Sequence, residues 1–521
     1  MNFRDLLLPI TLALITTFAI QYFFFGGSGS QEQTQSGQSF TAPKTKQELK
    51  PRNTEVDFVD AVREKDAVLT KIETKGARMT FTTDGAVLDH LEFKQVSCGA
   101  GSLSTIASSA ETEKENRCFM LAFNQKTPYF YTLMNKTETD DKIELIYQAT
   151  HENGVIEKKF VIYKNTYKID LDIKITGAQS DKQQDMRIFW PSPDVKALSK
   201  EDLIAAIAND EKGSIIKNPI EKFDVEQGRF SPTLFGTDDR YFVHAMIDDA
   251  NQFVSRAYYK MVDKSKLISI LEGPAAASLA KAEGAQNQWK LSFYFGPKEV
   301  EALNIVDPRL EQTLDYSGWL SPISKFLLHI LKLLYSFLLN YGLAIIALTI
   351  LVKLVLLPFT YRAEESMKKR AEFDKKLRYV QQKFKDNPDQ LARERAELIQ
   401  KHGMPGIGSC LPLVLQLPLF VALSRVLSSS IELYRAPFLW IPDLSARDPY
   451  YILSILIVVA MAAQALVSQG ADNKQRISTL VMSLVVGAVT TSLAAGLSLY
   501  ICTFTILGVL QVPLLKLFKR S

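Results

Sequence analysis

The sequence predicts an α-helical polytopic membrane protein of six spans, five of them gathered after residue 341, joined to an all-β domain. Three observations predict it. Long apolar runs sit only at the extreme N-terminus and after residue 326, with a polar stretch of nearly three hundred residues between them. That polar stretch alternates apolar and polar positions in short runs, the period of half-buried strands. The late apolar runs each approach the length a bilayer demands. A chain of 521 residues is also too long for a single hydrophobic core.

The elements follow in order. Residues 6–25, LLLPITLALITTFAIQYFFF, are longer than the core of a cleaved signal and end in bulky aromatics. Residues 1–25 therefore read as an uncleaved signal anchor, with a cleaved signal as the alternative. Residues 26–56 are rich in Gly, Ser, Gln and Lys, the composition of a flexible linker. Residues 57–310 read as the β domain. RMTFTTDGAVLDHLEF turns at Asp84–Gly85, EKKFVIYKNTYKIDLDIKI turns at Asn165, and KLSFYFG forms a further strand at 290–296. Many short strands without helical patterns between them suggest a sandwich. Residues 199–212 are expected to add a short helix. Within 311–341, ISKFLLHILKLLYSFLL carries Lys325, His329 and Lys332 on one helical face. That pattern describes an amphipathic helix in the membrane interface, with a further span as the alternative.

The core is expected at 342–515, with spans near 342–361, 411–430, 450–468, 477–491 and 496–515. Between the first two of these, residues 362–403 carry twelve Lys/Arg against eight Asp/Glu. Short loops rich in Lys/Arg stay in the cytoplasm. Lys474, Arg476 and the tail 516–521, with Lys516, Lys519 and Arg520, fall on the same side if there are six spans. Both termini are then cytoplasmic and the β domain lies outside. Segment 362–403 reads as a helical hairpin, its second helix opened by Asn387–Pro388–Asp389: a cap, a first-position proline and an early acid. Its basic residues Lys368, Lys369, Arg370, Lys375, Lys376 and Arg378 make an interaction arm, with a solvated loop as the alternative.

Composition excludes several classes. With 61 Lys+Arg against 57 Asp+Glu the net charge is only +4, and no basic stretch interleaves with aromatics, so sequence-specific nucleic-acid binding is not expected. Five histidines, no CxxC and no HExxH argue against metal chemistry, and no cofactor is expected. Cys98 and Cys118 are candidates for a disulfide if their region is extracytoplasmic. Cys410 and Cys502 fall in apolar runs and suit packing.

One residue stands against its surroundings. In ALTILVKLVLLPF, residues 347–359, the seventh position is Lys353. At 1.5 Å per residue it lies about 16–17 Å along its helix from Gly342, near mid-membrane. A charge there costs about 2.5–3.5 kcal/mol even on insertion scales, and it is a functional hypothesis by default. Thr349 and Thr360 share its face. Other spans add Gln416, Ser424, Ser454, Gln464, Ser483, Ser498, Tyr500, Thr503 and Thr505, but no acid falls inside the five late spans. The serines and threonines alone are explained by close helix packing. An unpaired lysine needs water, deprotonation or snorkelling, and a wet groove opening to the cytoplasm would supply the first.

At this point the sequence resembles the YidC family of membrane protein insertases. The likeness runs across 310–515, through LDYSGWLSPISKFLLHILKLLYSFLLNYGLAIIALTILVKLVLLPFTYRAEESMKK. MPGIGSCLPLVLQLPLFVAL is similar to the family's signature, carried by Gly408, Cys410, Pro412, Gln416, Pro418 and Phe420, with Ser409 where a second glycine is often found. APFLWIPDLSARDPYYIL and AGLSLY resemble its outer loop and last span. FGTDDRYFVHAMI and FYFGPKEVEAL resemble segments of the large periplasmic domain of Gram-negative forms, a β-supersandwich similar to sugar mutarotases.

The resemblance implies a five-helix insertase core around a hydrophilic groove, open to cytoplasm and lipid and closed toward the periplasm. It implies a bacterial inner-membrane protein that inserts nascent membrane proteins without hydrolysing nucleotide. The implied partners are the lipid bilayer, the Sec translocon, the ribosome and the signal recognition particle receptor. The family's groove charge, usually arginine, falls at Lys353; Thr349, Gln416, Tyr500 and Thr503 fall at groove or slide positions. Two other readings compete. A transporter would need paired intramembrane charges or an internal repeat, and neither is seen. A membrane-tethered sugar enzyme would need groups such as Asp239 and His244 to converge in a pocket.

Overall fold

The structure is a computed structural model. It describes residues 66–94, 103–107, 117–123, 127–151, 154–177, 186–193, 204–210, 212–220, 228–263, 266–273, 286–314, 320–384, 388–402, 411–467 and 473–518. The expected anchor and linker, and Cys98, lie outside these residues. The described chain forms two compact units. One falls within Gly318–Ser428 and Arg435–Ser521, the other within Gly29–Ser317 and Ser429–Tyr434.

The second unit is β-rich. Its largest sheet has nine antiparallel strands, ordered Ile215–Pro219, Ala205–Asn209, Phe235–Asp238, Phe242–Asp249, Gln286–Pro297, Lys168–Gly177, Gly154–Tyr163, Lys142–His151 and Thr132–Glu138. A five-stranded sheet and the four-stranded sheet built from Leu69–Glu73, Ala77–Thr82, Val87–Phe93 and Leu103–Ala107 complete it. Inward residues of all three sheets share one core, with Phe119 stacked on Phe295 at 5.3 Å and edge-on to Phe293 at 4.9 Å.

The hairpin at Asp84–Gly85 shows how the core is specified. Gly85 (φ 81°) and Ala86 (φ 45°) turn the chain in the left-handed region, and a β-carbon on Gly85 would strike Met120. Strand Gly154–Tyr163 alternates, turning Ile156, Lys158, Phe160 and Ile162 inward. Lys158 is thus buried, and its Nζ donates to the carbonyls of Gly85 (2.8 Å), Ala86 (3.1 Å) and Phe119 (2.7 Å). Ala86 and Phe119 (φ 68°) both have left-handed backbones, so one ammonium clasps two turns. Burial pushes its pKa down to about 7.

Two expectations need correction. Residues 205–209 form a strand, not part of a helix: Ala206 and Ala208 are buried between Ile215–Pro219 and Phe235–Asp238. Sheet pairing overrides the helical propensity of alanine. The β-rich unit is not wholly β, because helix α1, Val300–Val306, and a 3₁₀ turn at Pro308–Thr313 follow its last strand. The apolar part of the first core span ends at Pro358, close to the expected 361, and its helix runs on beyond it.

In the helical unit, α2 (Ser321–Leu338) buries Ser324, Leu327, Leu328 and Leu331 as one stripe and leaves Phe326, Leu333 and Phe337 exposed. Helix α3 runs unbroken from Tyr341 to Lys383 through Pro358. The charged segment after Arg362 is itself helix-forming, so nothing stops the helix at the apolar boundary. Helix α4 (Pro388–His402) opens on the expected proline. Helices α5 (Leu411–Ser429), α6 (Ile452–Val467), α7 (Asn473–Thr490) and α8 (Ala495–Phe518) follow. Among the described residues, Tyr341–Pro358 is long and apolar enough to cross a bilayer. Pro418–Ser429, Ile452–Ala465, Thr479–Thr490 and Ala495–Gln511 are shorter apolar helices.

Candidate functional site

Helix α3 presents Thr349 and Lys353 one turn apart. Thr349 is buried, and its Oγ1 donates to the Ile345 carbonyl of its own helix at 2.6 Å. Lys353 reaches across to α8. Its Nζ donates to the Phe504 carbonyl at 2.9 Å and sits 4.0 Å from the centroid of the Phe504 ring. The ammonium rests beside Gly508, where a β-carbon would lie 3.3 Å from Nζ. Gln464 of α6 borders the same point, its Nε2 3.8 Å from that β-carbon position. A carbonyl oxygen and an aromatic face both attract a cation, which offsets part of its desolvation. No Asp or Glu occurs in Tyr341–Pro358 or in helices α5 to α8.

Tyr500, Phe504 and Gly508 recur every four residues and form one stripe of α8. The Tyr500 ring is buried 5.9 Å from Phe420 of α5 and 6.0 Å from Phe504. Its hydroxyl has no hydrogen-bond partner among the described residues. Thr503 is half-buried beside this stripe. The structure brings Lys353 of α3 against Phe504 and Gly508 of α8, with Thr349 one turn before Lys353 and Tyr500 one turn before Phe504. The side chains of Gln416 and Thr360 lie outside the described residues, as do those of Lys368, Lys369, Arg370, Lys375 and Arg378 along α3. Lys376 is exposed.

Other polar groups in these helices serve packing. Thr490 Oγ1 donates to Ser454 Oγ at 3.1 Å, and Ser498 Oγ donates to the Thr490 carbonyl at 3.3 Å. Gly487 lets α7 close on Val458 of α6.

One end of the helical unit is closed by residues 435–451. The Phe438 side chain packs directly on Gly342, and Asn340 caps α3 while donating to the Pro437 carbonyl at 3.3 Å. Asp443 accepts from Arg435 N, Ser445 N and Ser445 Oγ; Asp448 accepts from Trp440 Nε1, Tyr450 N and Leu453 N. Ala495 and Gly496 at the start of α8 donate to the carbonyls of Ala446 and Leu444. Lys353 lies about 18 Å along α3 from the closed end at Tyr341.

In the β-rich unit, His244 and Asp239 do not form an open site. His244 is fully buried, its Nδ1 3.2 Å from the Pro191 carbonyl and its ring 4.7 Å from that of Phe295. Asp239 is buried with Oδ1 accepting from Tyr241 N and Phe242 N, both at 2.6 Å. Burial pushes its pKa up to about 7 against those bonds. Cys118 is a free, buried thiol. No cluster of three metal-binding side chains occurs among the described residues.

Burial lowers the His244 pKa from 6.5 to about 4. Between those values the unfolded chain binds a proton that the native ring refuses, so stability rises with pH across that window. The contribution is complete above pH 6.5 and lost as pH falls toward 4, about 3 kcal/mol in all. The protection factors of the amides in strand Phe242–Asp249 of the detergent-solubilised chain, taken against the base-catalysed intrinsic rate at each pH, should fall as pH drops through this range. His244→Gln should flatten that acid limb; an unchanged limb would assign it to other groups.

Phe504 and Gly508 were not singled out from the sequence. Their four-residue spacing from Tyr500 was the available signal.

Comparison with known proteins places this arrangement in a class. Residues 333–520 match the 60Kd inner membrane protein family and residues 69–330 match the YidC periplasmic domain. A helical inner-membrane unit with a β-rich periplasmic domain is the class these two matches define. The chain belongs to the YidC family. A membrane protein insertase YidC from Geotalea daltonii is 27% identical over 98% of each chain. One from Geobacter sp. (strain M21) is 33% identical over 57% of this chain, and there the match spans 56% of the relative's length. Among solved structures, an active YidC insertase crystal structure with its first transmembrane domain resolved has 17% identity and a TM-score of 0.38, covering 86% of this chain and 93% of its own. A putative aldose 1-epimerase from Escherichia coli K12 has 8% identity and a TM-score of 0.30, covering 44% of this chain and 99% of its own.

Proposed function

We propose that this chain is a membrane protein insertase that passes nascent inner-membrane proteins through a hydrophilic groove between its helices. The observation that carries the reading is Lys353. It is a cation within an apolar helix, lodged against α8 with no acid in any neighbouring apolar helix. A cation so placed attracts acidic residues in the polar tail of a client. Family membership and the insertase relatives support the same reading.

In this account six spans place both termini in the cytoplasm and the β domain, a supersandwich, in the periplasm. Residues 435–451 seal the periplasmic end, and Thr349, Gln416, Tyr500 and Thr503 border the client path. A client's polar tail enters from the cytoplasm, which shortens the apolar distance it must cross. Its apolar span then leaves into lipid, and the burial of that span drives insertion without nucleotide. Lys368, Lys369, Arg370, Lys375, Lys376 and Arg378 on the hairpin meet the ribosome or the signal recognition particle receptor. The chain acts alone or beside the Sec translocon, and it catalyses no covalent step.

The test is insertion of a single-span client into liposomes holding the purified chain. Lys353→Ala should cut insertion of an acidic-tailed client about tenfold, equivalent to about 1.4 kcal/mol. A client with the same tail neutralised should be nearly unaffected. Equal insertion of acidic clients by both proteins would rule out attraction by Lys353.

A further inference from the structure

The Lys353 ammonium is already occupied. It reaches from α3 to the Phe504 carbonyl at 2.9 Å and lies against the Phe504 ring at 4.0 Å. A helix carbonyl at this position ordinarily accepts only from the N–H four residues on, here Gly508. The second donor sits in the space beside residue 508, which has no side chain. A β-carbon there would lie 3.3 Å from Nζ, and a branched side chain would extend further into the space the ammonium fills. Gly508 has a negative φ within a regular helix, so no left-handed turn requires glycine there. Glycine inside a helix costs about 1 kcal/mol relative to alanine. The close approach of Lys353 is what its missing side chain permits.

We propose that Lys353, Phe504 and Gly508 form a latch that holds α3 against α8, and that a client carboxylate releases it. Gly508 is a positioning residue: it shapes the dock, and Lys353 carries the charge. The proposal rests on the reading of Lys353 as the client-attracting charge and adds its resting state. A carboxylate is a stronger partner for an ammonium than a neutral carbonyl, because it adds the Coulomb attraction of a full opposite charge to a hydrogen bond that the ammonium already charges. An acidic segment arriving beside Lys353 therefore draws the ammonium off Phe504, and the bond tying α3 to α8 is lost as the client binds. A neutral segment gives the ammonium nothing to exchange. The latch couples the opening of the two helices to the charge of the cargo.

The test reads the distance between spin labels at the exposed positions Leu354 on α3 and Leu510 on α8, in the full chain reconstituted in liposomes. In the resting protein the distribution should be narrow. Lys353→Met should shift it outward by about 2 Å, the scale of helix shifts. Gly508→Val should do the same, and Gly508→Ala should give a smaller shift. An acidic tail peptide should move the parent toward the Lys353→Met distribution, and its Asp→Asn counterpart should not. The deciding readout is the double variant. A latch requires that Gly508→Val add nothing once Lys353 is Met. An equal further shift in the double variant would make Gly508 a packing residue and overturn the proposal. Unchanged distances in both single variants would overturn it too. Neither result touches the insertion assay, so the latch can fail while attraction of acidic clients stands. Loss of attraction would likewise leave these distances readable.

Discussion

Asp84→Ala is expected to destabilise the β-rich unit by about 3–5 kcal/mol, the cost of leaving one member of a buried ion pair uncompensated. Arg117 has no exposed side-chain surface, and its Nη1 donates to Asp84 Oδ2 at 2.7 Å. Its Nε and Nη2 have no partners among the described residues, so Asp84 is the carboxylate that compensates its charge. The turn that carries Asp84 also supplies the Gly85 and Ala86 carbonyls to Lys158. Loss of the carboxylate therefore leaves the Arg117 charge unpaired beside a loosened hairpin that also anchors Lys158. Asp84→Asn keeps an acceptor and should cost less. Replacing both partners, Asp84→Ala with Arg117→Met, should recover most of the loss, because the desolvated charge is then gone. Urea denaturation of the solubilised chain, followed through its tryptophans, measures all three. A single substitution no worse than the double one would mean that the pair carries no such debt.

Gly342→Val should open the closed end of the helical unit. A β-carbon at 342 would lie 2.1 Å from two ring carbons of Phe438 and 2.7 Å from its Cβ, so the whole side chain must leave. The Phe438 backbone exchanges hydrogen bonds with Ile441 in both directions at 2.8 Å, which blocks a local slide of the loop. Expelling a buried phenylalanine costs about 3–5 kcal/mol on the scale of large-to-small core changes. The expected result is a lower unfolding temperature and rapid proteolysis within 435–451. Phe438→Ala in the same chain should remove the two ring contacts, leave the smaller overlap with Cβ, and restore part of the protection. Unaltered proteolysis of Gly342→Val would show that the loop closes without this contact.

Much of this architecture was legible in the residues themselves. The turn at Asp84–Gly85 and the strands around it follow from period-two alternation and a turn pair. The start of α4 at Pro388 follows from cap chemistry, and Lys353 announces itself by charge alone. What was not legible depends on partners far apart in sequence. Lys158 looks like an ordinary charge on a strand until the 85–86 turn and Phe119 fold over it. Residues 205–209 are alanine-rich and locally helix-prone, and only pairing with two other strands makes them extended. The dock for Lys353 is built from a carbonyl, a ring and a missing side chain 151 residues away. Periodicity registers none of these three.

Helix α3 crosses from an apolar half to a charged half without a break, 43 residues in all. It is about 63 Å long, with Lys353 roughly a quarter of the way from the closed end and about 38 Å between Pro358 and the tip. Proline removes one backbone hydrogen bond and is where such a rod bends. A bend of about 10° at that joint sweeps the tip through about 7 Å while the residues near Lys353 hardly move. The arm beyond Pro358 is thus geared down toward the residues around Lys353. Large excursions at its far end arrive beside the lysine as torque rather than as displacement.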